Sequence, residues 1–392
     1  MMLPIYFDNA ATSWPKPPSV RAALDKYFDE AGGNPGRSGH RMSIAAARVV
    51  EDARELLGDL FNVADPGQIV LTKNATEALN LAIYGLLSPG DHVITTTIEH
   101  NSVMRPLRHL ESDGLEVTVV PCAADGTLDP DDVLRAFRPN TRLLTTLHSS
   151  NLIGSLFPVA DLAIVARERG VPYLVDAAQT AGTVPIDADA LGIDMLAFSG
   201  HKGLLGPTGT GGLLVRRGLV LRPLMRGGTG SRSDLETQPD FMPDIYESGT
   251  LNVLGLAGLA AGIRHLMDVG VEQVAAHERA LVARFVGGAI EIPGVIIHGP
   301  DPLGERCGVV SFNVDGLTPS AVATILEDDS AILARVGLHC APGAHRTIGT
   351  FPEGSVRFGF GLSNTESEVD TALASLEKIA AWAANSRAVD HA

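Results

Sequence analysis

Apolar runs of strand length alternate with helix-length segments between residues 69 and 175. The apolar runs predict strands at 69–71, 93–94, 117–120, 143–147 and 173–175. The intervening segments predict helices at 75–87, 101–112, 130–137 and 158–169. Strands that alternate with helices of this length are typical of βαβ crossovers. The pattern therefore predicts an α/β fold with a mainly parallel central sheet and helices on both faces.

The segments that flank this alternation predict further elements. Before it, helices are predicted near 18–31 and 41–61. After it, an apolar run at 253–263, rich in Gly and Ala, predicts a tightly packed core helix. The C-terminal third predicts a smaller α+β domain with helices at 271–288 and 366–383 and strands at 295–297, 308–314 and 355–359.

These elements divide the chain into three parts. We expect residues 1–16 to form an N-terminal segment that packs with the small domain. Residues 17–250 form the large, ligand-binding domain, and residues 251–392 form the smaller C-terminal domain that carries Cys340. Residues 227–249 are a long, acidic, Gly/Ser-rich connection, and a loop of that length inside a compact domain usually has a function or is disordered.

The stretch DMLAFSGHKGLLGPTGTGGLLV, residues 194–215, predicts a strand, a tight turn and a second strand. Lys202 lies in the turn, directly after the first strand. Burial in a turn of small residues lowers the pKa of a lysine and makes its amine nucleophilic. Most lysines in glycine-rich turns are solvated, so Lys202 alone does not define a site. It gains weight because a neighbouring apolar strand ends in an acid, Asp176.

Polar side chains also follow other predicted strands, at the sheet edge where open α/β sheets bind ligands. Asn74 and Glu77 follow the strand at 69–71 with the spacing of a capping box. The same helix start, together with the Thr76 hydroxyl, is suited to hold a phosphate. The structural and the functional interpretation have about equal weight from this segment alone.

Three further strand ends carry His100, Asn151, and Asp176 with Gln179. Each of these side chains has a structural explanation: a histidine as a helix cap or core hydrogen-bonding group, an asparagine as a turn residue, and an aspartate as an N-cap. Asp176 is also well placed to pair with a cationic ring nitrogen of a cofactor. The set of strand ends, rather than any one member, indicates a binding site.

Composition and charge narrow the function. The chain has 392 residues, of which 45% are hydrophobic and 19% charged, which is ordinary for a globular protein. Its 30 basic and 46 acidic residues give a net charge of −16 without a basic stripe, which argues against a nucleic-acid partner. We expect no signal peptide and no membrane span, because the N-terminus lacks a basic region and the apolar stretches are too short. Three scattered cysteines predict neither a disulfide framework nor a metal site and favour the cytoplasm.

A set of short motifs covers nearly the whole chain in one order: FDNAAT, TKNATEALN, IEHNSV, SSNLIG, VDAAQ, SGHK, ESGTLN, RVGLHCAP and VRFGFGLSNTESEVD. In this combination the chain resembles the cysteine desulfurase and selenocysteine lyase branch of the fold-type I, class V aminotransferase-like pyridoxal phosphate enzymes. The resemblance implies pyridoxal 5′-phosphate as the cofactor and a homodimer as the assembly.

The resemblance also assigns cofactor contacts. It implies that Lys202 carries the cofactor as a Schiff base, that Asp176 bonds the pyridine nitrogen and Gln179 the phenolic oxygen, and that His100 stacks on the ring. The remaining contacts that it implies are Ala75, Thr76, Ser199 and His201, with Thr250 reaching the phosphate from a second subunit. The long connection 227–249 is then expected to cross the dimer interface.

Substrate contacts follow from the same resemblance, which implies that Asn151, Arg357 and Asn9 bind the substrate. Arg357 lies in an apolar strand-like run, VRFGFG, and a buried arginine requires an anion. That anion is either an internal carboxylate such as Glu353 or the carboxylate of an amino acid.

Cys340 distinguishes the subclass, and the resemblance implies that it is the sulfur acceptor. It stands beside His339 between glycines, whereas Cys122 and Cys307 are interpreted as structural thiols. The expected reaction is desulfuration of L-cysteine: Lys202 removes the Cα proton, Cys340 attacks the substrate Sγ, alanine leaves, and the persulfide passes to an acceptor protein. The alternatives are a selenocysteine lyase acting on L-selenocysteine or another class V lyase or aminotransferase, and a cofactor-binding sulfur-carrier scaffold without turnover.

Overall fold

The computed structural model describes residues 4–36, 39–300 and 306–390. Its strands are β1 (Ile5–Tyr6), β2 (Ile69–Thr72), β3 (His92–Thr96), β4 (Glu116–Val120), β5 (Thr141–Leu147), β6 (Tyr173–Asp176), β7 (Met195–Ser199), β8 (Gly211–Val215), β9 (Val295–His298), β10 (Val309–Val314), β11 (Ile332–Leu333), β12 (Arg335–Gly337) and β13 (Ser355–Gly359).

The helices lie between these strands and at their flanks. In chain order they are α1 (Pro18–Glu30), α2 (Arg41–Leu60), α3 (Ala75–Leu86), α4 (Asn101–Ser112), α5 (Pro130–Ala136), α6 (Val159–Glu168), α7 (Val253–Val269), α8 (Val271–Ala289), α9 (Pro319–Ser330), α10 (Pro342–Thr347) and α11 (Glu366–Asp390).

A seven-stranded sheet, in the order β2-β8-β7-β6-β5-β3-β4, forms the centre of the large domain. Within the described residues its neighbouring strands pair in parallel except at β8, which runs antiparallel to β2 and β7. Successive side chains of a strand point to opposite faces, so Met195 and Leu196 of β7 enter two different hydrophobic clusters. The sequence expectation of a mainly parallel sheet covered on both faces is confirmed.

The small domain contains a four-stranded antiparallel sheet, β12-β13-β10-β9, packed against α8 and α9, and α11 packs on these two helices. Its core is rich in aromatic rings; Phe285, Phe312 and Phe358 have centroids 5.0–5.6 Å apart. Phe7 of the N-terminal segment packs in the same core, and β1 pairs in parallel with β11. The N-terminal segment thus lies on the small domain at its start.

The two cores divide at a different point from the predicted boundary at residue 250. Helix α7 packs against α1 and α2, and its side chains belong to the main cluster of the large domain. Residues 253–263 of this helix are apolar on all sides because they are buried between these helices and the lysine turn, whereas Arg264 and Asp268 near its end are exposed. The division between the cores therefore falls after α7, between it and α8.

Several elements of the small domain were not predicted. Helix α9 begins with an N-cap that the sequence could have indicated. The Thr318 hydroxyl accepts a hydrogen bond from the backbone N–H of Ala321 at 3.3 Å, and Pro319 occupies the first helical position. Strand β12 and helix α10 flank Cys340 and are too short to produce a periodic pattern. The segment 227–249 contains neither helix nor strand, as expected.

Within the described part of the chain, no single helix is long and apolar enough to cross a membrane. Helices α7 and α8 meet the length and composition test only as a pair, and they are bent by 79° at their junction.

Candidate active site

Lys202 lies in the turn between β7 and β8, the turn that the glycine-rich sequence predicts. The turn packs closely against its surroundings: a Cβ on Gly203 would stand 2.6 Å from the carbonyl oxygen of Ala181. Lys202 is partly buried, and burial lowers the pKa of its amine to about 8, partly offset by the carboxyl of Asp176. A substantial neutral fraction of a buried amine is therefore available near neutral pH.

A cavity of about 190 Å³ opens beside Lys202 at the carboxyl ends of the parallel strands. It brings together most of the residues expected to bind the cofactor or the substrate. These are Ala75, Thr76, His100, Asn151, Asp176, Gln179, Ser199, His201 and Lys202. The positions come from β2, β3, β5, β6 and β7, so the order of strands in the sheet is what assembles them.

Asp176 ends β6 at the base of this cavity. Its carboxylate accepts a hydrogen bond from the backbone N–H of Ala178 at 2.9 Å. Burial raises its pKa, while that backbone bond and the ammonium of Lys202 lower it. A second buried acid, Glu99, lies close enough to interact electrostatically with Asp176. Within the cavity, Lys202 is the cation that acts on the Asp176 carboxyl.

His100 lies at the start of α4 and serves as its N-cap. The ring Nδ1 accepts a hydrogen bond from the backbone N–H of Ser102 at 3.0 Å. The Ser102 hydroxyl lies 2.9 Å from the same nitrogen and 2.8 Å from the hydroxyl of Thr76. Burial and, to a smaller extent, the charge of Lys202 lower the pKa of His100 to about 4. The ring is neutral at physiological pH, which suits an aromatic surface better than an acid catalyst.

The helix start at α3 forms the opposite end of the cavity. Asn74 accepts a hydrogen bond from the backbone N–H of Glu77 at 3.0 Å, so the capping interpretation is confirmed. The Ser199 hydroxyl accepts the backbone N–H of Ala75 at 3.0 Å. The Nδ1 atom of His201 is buried with no hydrogen-bond partner in the described structure. Capping and anion binding are compatible here, because Thr76 and His201 line the cavity and neither takes part in the Asn74 cap.

Arg357 lies in β13 with 1% of its surface exposed. Its Nη2 donates to Asp8 at 2.6 Å and its Nη1 donates to the backbone carbonyl of Asn151 at 2.9 Å. The internal carboxylate is therefore Asp8, not the exposed Glu353 that we named as an example. Asp8 lies 349 positions away in the chain, so local sequence could not identify it.

Two polar atoms near this arginine have no partner in the described structure, Nε of Arg357 and Oδ1 of Asn151. Both are buried, and a buried group without a partner costs about 1–3 kcal/mol. The other amide atom of Asn151, Nδ2, donates to the carbonyl of His339 at 2.7 Å. Asn151 thus connects the cavity to the loop that carries Cys340.

Cys340 is exposed, with φ +59°, and the preceding His339 has φ +49°. Two consecutive left-handed residues other than glycine are sparsely populated and persist only where their surroundings hold them. The carbonyl of Cys340 accepts the backbone N–H of Asn101 at 2.8 Å, which ties the loop to α4. The Nη2 atom of Arg335 lies 3.6 Å from the Cys340 Sγ. This contact places a cation beside the sulfur.

The other two thiols lie in environments that suppress reactivity. Cys307 is buried, accepts a hydrogen bond from the Ser149 hydroxyl at 3.0 Å, and has its pKa raised to about 12 by burial. Cys122 is partly buried, and burial raises its pKa to about 11. Both observations support their interpretation as structural thiols.

Four expected site residues do not line the cavity: Arg357 and Cys340, described above, and Asn9 and Thr250. The side chain of Asn9 is buried; its amide donates to Gly359 and Asn364 at 3.0 Å each, and its oxygen accepts the backbone N–H of Trp14. These bonds satisfy the amide, so Asn9 holds the N-terminal segment on the small domain, and its contact with a substrate stays a prediction. Thr250 is exposed at the end of the long loop, apart from Lys202.

A contact that sequence reasoning missed surrounds the peptide between His201 and Lys202. The carbonyl of His201 accepts hydrogen bonds from the hydroxyl of Thr12 at 3.0 Å, the N–H of Ser13 at 3.0 Å and the ammonium of Lys16 at 2.8 Å. The Ser13 hydroxyl also donates to the carbonyl of Lys202 at 2.9 Å. The one sequence signal for these contacts is that Lys16 follows the FDNAAT motif closely in the chain.

Comparisons with known proteins agree with this geometry. The aminotransferase class-V family model matches residues 5–372. A probable cysteine desulfurase of Pyrococcus abyssi is 38% identical, with 96% of this chain and 94% of that protein covered. A cysteine desulfurase of Haloferax volcanii is 34% identical, with 93% and 87% covered.

Solved structures give the same result. The apo structure of a cysteine desulfurase from Thermococcus onnurineus NA1 superposes with a TM-score of 0.90 at 37% identity, covering 96% of this chain and 94% of that chain. A cysteine desulfurase from Escherichia coli superposes with a TM-score of 0.86 at 29% identity, with the same coverage of both chains. The chain therefore belongs to the aminotransferase class-V family, in which the relatives that it resembles are cysteine desulfurases.

Proposed function

We propose that the protein is a pyridoxal phosphate-dependent cysteine desulfurase that converts L-cysteine to L-alanine and leaves the sulfur as a persulfide on Cys340. One observation carries the proposal. A partly buried lysine with a lowered pKa and a buried acid share one cavity, and the loop of an exposed cysteine is tied to that cavity through Asn151 and α4.

The residues around the cavity fit this cofactor. A buried carboxyl, a neutral imidazole and an unpartnered buried His201 nitrogen are the features that a cationic ring nitrogen, an aromatic ring and a phosphate respectively require. The residues that would hold the cofactor are Lys202, Asp176, Gln179, His100, Ala75, Thr76, Ser199 and His201. When bound, pyridoxal phosphate supplies an electron sink for the bond electrons released at the substrate Cα.

Lys202 provides the base. Its amine, with a pKa lowered to about 8, accepts the Cα proton of the substrate at Nζ. The hydrogen bonds that fix the His201 and Lys202 carbonyls limit the motion of the backbone that carries the amine. A base fixed in this way loses little entropy when it meets the substrate.

Arg357 and Asn151 orient the substrate carboxylate. The Nε–H of Arg357 has no hydrogen-bond partner in the described structure, and a carboxylate would accept its hydrogen bond. The same guanidinium already pairs with one carboxylate, that of Asp8. The Cys340 thiolate then attacks the substrate Sγ, so that an S–S bond forms while the Cβ–Sγ bond breaks. The electron pair of the broken bond stays with the substrate fragment, which takes up protons and leaves as alanine.

We further propose that two copies of the chain complete the site and that the persulfide passes to an acceptor thiol on a partner protein in the cytoplasm. The exposure of Thr250, away from the Lys202 cavity of its own chain, supports a role at the cavity of a second subunit. The exposure of Cys340 supports transfer to an external thiol, and the three free cysteines support a reducing compartment.

The decisive experiment compares Cys340→Ala with the parent protein on L-cysteine and L-selenocysteine side by side. We expect the variant to retain the absorbance of the bound cofactor and to lose sulfide and alanine production from cysteine. Cys122→Ala is the matched control. It removes a thiol that is partly buried and takes no part in the proposed reaction, so it should keep full activity. Undiminished sulfide release by Cys340→Ala would contradict the proposal, and selenide release at the parental rate together with weak cysteine turnover in the parent would favour a selenocysteine lyase.

A further inference from the structure

Two buried histidines lie stacked beneath the loop that carries Cys340. His339 has 2% and His345 has 0% of its surface exposed. Their ring centroids lie 5.6 Å apart with an interplanar angle of 19°, and Nδ1 of His339 lies 3.3 Å from Nε2 of His345. His345 comes from α10, outside the cavity of Lys202, and no step of the proposed reaction uses it.

The hydrogen bonds at the two ends of this pair fix its direction. Nε2 of His339 lies 3.3 Å from the carbonyl oxygen of Arg335, which can only accept, so Nε2 of His339 carries the hydrogen. In a neutral ring Nδ1 is then an acceptor, and it must receive the hydrogen of His345 Nε2. Nδ1 of His345 in turn accepts from the Thr350 hydroxyl at 2.6 Å.

Both rings are neutral in this arrangement. Burial lowers the pKa of His339 to about 2 and that of His345 to about 4. The charges of Arg357 and Arg335 contribute to the lowered pKa of His339, and His298 contributes to that of His345. The chain of hydrogen bonds from Thr350 to Arg335 therefore has every donor matched to one acceptor.

This series of hydrogen bonds ends at the backbone carbonyl of Arg335. The guanidinium of the same residue contacts the Cys340 sulfur at 3.6 Å. His339 is joined directly to Cys340 and shares its left-handed backbone conformation. The ring of His339 therefore links the two ends of one turn, the carbonyl at Arg335 and the strained peptide at Cys340. The ring thus fixes the backbone from which the Arg335 side chain extends to the sulfur.

We propose that His345 is a positioning residue for Cys340: acting through the ring of His339, it holds the guanidinium of Arg335 against the cysteine sulfur, with Thr350 fixing the direction of its hydrogen bonds. The inference rests on the proposed role of Cys340, because a fixed guanidinium matters only if that thiol reacts. It concerns the loop side of the site, which lies apart from the cofactor contacts.

The test measures the rate at which iodoacetamide alkylates Cys340 in the full-length protein at one near-neutral pH, quantified by peptide mass spectrometry. We expect His345→Leu to slow alkylation about fivefold, the scale expected for loss of one net hydrogen bond. His345→Gln should restore most of the rate, because its amide N–H can replace the donor at Nε2. A purely space-filling role for His345 would give no such rescue.

Two threonines on the same segment form a matched pair of variants. Thr350→Val removes the hydroxyl that donates to His345, and we expect about threefold slower alkylation. Thr347→Val removes a hydroxyl that donates to Gly343 at 3.2 Å within α10 and should leave the rate unchanged. Parental alkylation rates in both His345→Leu and Thr350→Val would overturn the proposal.

Two conditions keep the outcome decisive. If His345→Leu fails to fold in thermal unfolding, the Thr350→Val and Thr347→Val pair decides the question alone. Alkylation needs neither cofactor nor cysteine as substrate, so absence of desulfurase activity in the parent would overturn the proposed function without changing the alkylation result.

Discussion

The two reactive side chains of the proposed site, Lys202 and Cys340, are held in opposite ways. The lysine lies in a turn whose two strands are both internal members of the seven-stranded sheet, so paired backbone fixes it on either side. The cysteine lies in a left-handed turn between a three-residue strand and a six-residue helix. Side-chain and single backbone hydrogen bonds hold that turn in place.

This difference separates the chemistry of the two halves. A base that meets the substrate at one atom benefits from a rigid mounting, because misplacement by about 1 Å can lower the rate about 100-fold. A thiol that must meet the substrate and then an external acceptor benefits from an exposed loop that side-chain hydrogen bonds, not sheet pairing, hold in place. We call the turn that carries Lys202 the rigid half of the site and the turn that carries Cys340 the loop half. Substitutions in one half should leave the other intact.

The rigid half breaks completely at Lys202. We expect Lys202→Ala to lose the absorbance of the covalently bound cofactor and to lower turnover at least about 10³-fold, since it removes both the attachment point and the base. Absorbance spectra and sulfide release measure the two effects. Lys73→Ala, which replaces an exposed lysine near α3, is the control. Retained turnover in Lys202→Ala would contradict the assignment of Lys202 as the attachment point and the base.

Glu99, the buried acid that interacts with Asp176, should make the free energy of unfolding depend on pH. Burial raises the pKa of Glu99 to about 8 from 4.5, so the folded state binds its proton more tightly than the unfolded chain. The stabilisation is complete below pH 4.5 and is lost as the pH rises through about 8.

We therefore expect the parent protein to lose about 3–5 kcal/mol more unfolding free energy than Glu99→Gln over this pH range. The Gln oxygen retains the acceptor for Thr96 and the Leu147 N–H that Glu99 provides. Urea unfolding at several pH values provides the measurement, with the exposed Glu353→Gln as control. Parallel pH profiles for parent and Glu99→Gln would show that this carboxyl titrates normally.

The loop half should respond to Arg335 without any change at the cofactor. We expect Arg335→Gln to slow both Cys340 alkylation and sulfide release about tenfold, because the thiolate loses its neighbouring cation, while cofactor absorbance is retained. Arg346→Gln is the matched control, since this exposed guanidinium stacks over the ring of Phe351 at 4.3 Å instead of contacting the sulfur. Loss of the cofactor in Arg335→Gln would show that the two halves are not separable.

The smallest effect is expected where the N-terminal segment meets the lysine turn. Lys16→Met removes hydrogen bonds to the Ser13 hydroxyl at 2.7 Å and the His201 carbonyl at 2.8 Å. We expect a loss of about 1 kcal/mol in unfolding free energy and a modest fall in turnover. Urea unfolding compares it with Lys26→Met, an exposed lysine on α1. Equal stability of the two variants would indicate that the other donors suffice.

The rigid half was also the half that the sequence predicted well. Alternation of strands and helices from 69 to 175 is strongly periodic, and the carboxyl ends of parallel strands meet at one edge whatever the details of packing. Lys202, Asp176 and Asn151 could therefore be assembled from their order in the chain. The structure brings all three to one cavity.

The loop half could not be predicted in the same way. The partner of Arg357 is Asp8, from the other end of the chain, and no local pattern connects them. The elements on either side of Cys340 are too short for a periodic signal, and the stacking of His339 on His345 depends on the left-handed turn between them. The packing of α7 was also not evident from the sequence, because this helix follows residue 250 in the chain but its side chains lie in the core of the large domain.

The stretch from Asp8 to Lys16 holds the arginine of the small domain at one end and the lysine turn of the large domain at the other. Nine residues of backbone therefore connect the carboxylate that pairs with Arg357 to the groups that hold the peptide next to the Lys202 amine. This connection helps to set the spacing between guanidinium and amine, in addition to the sheet.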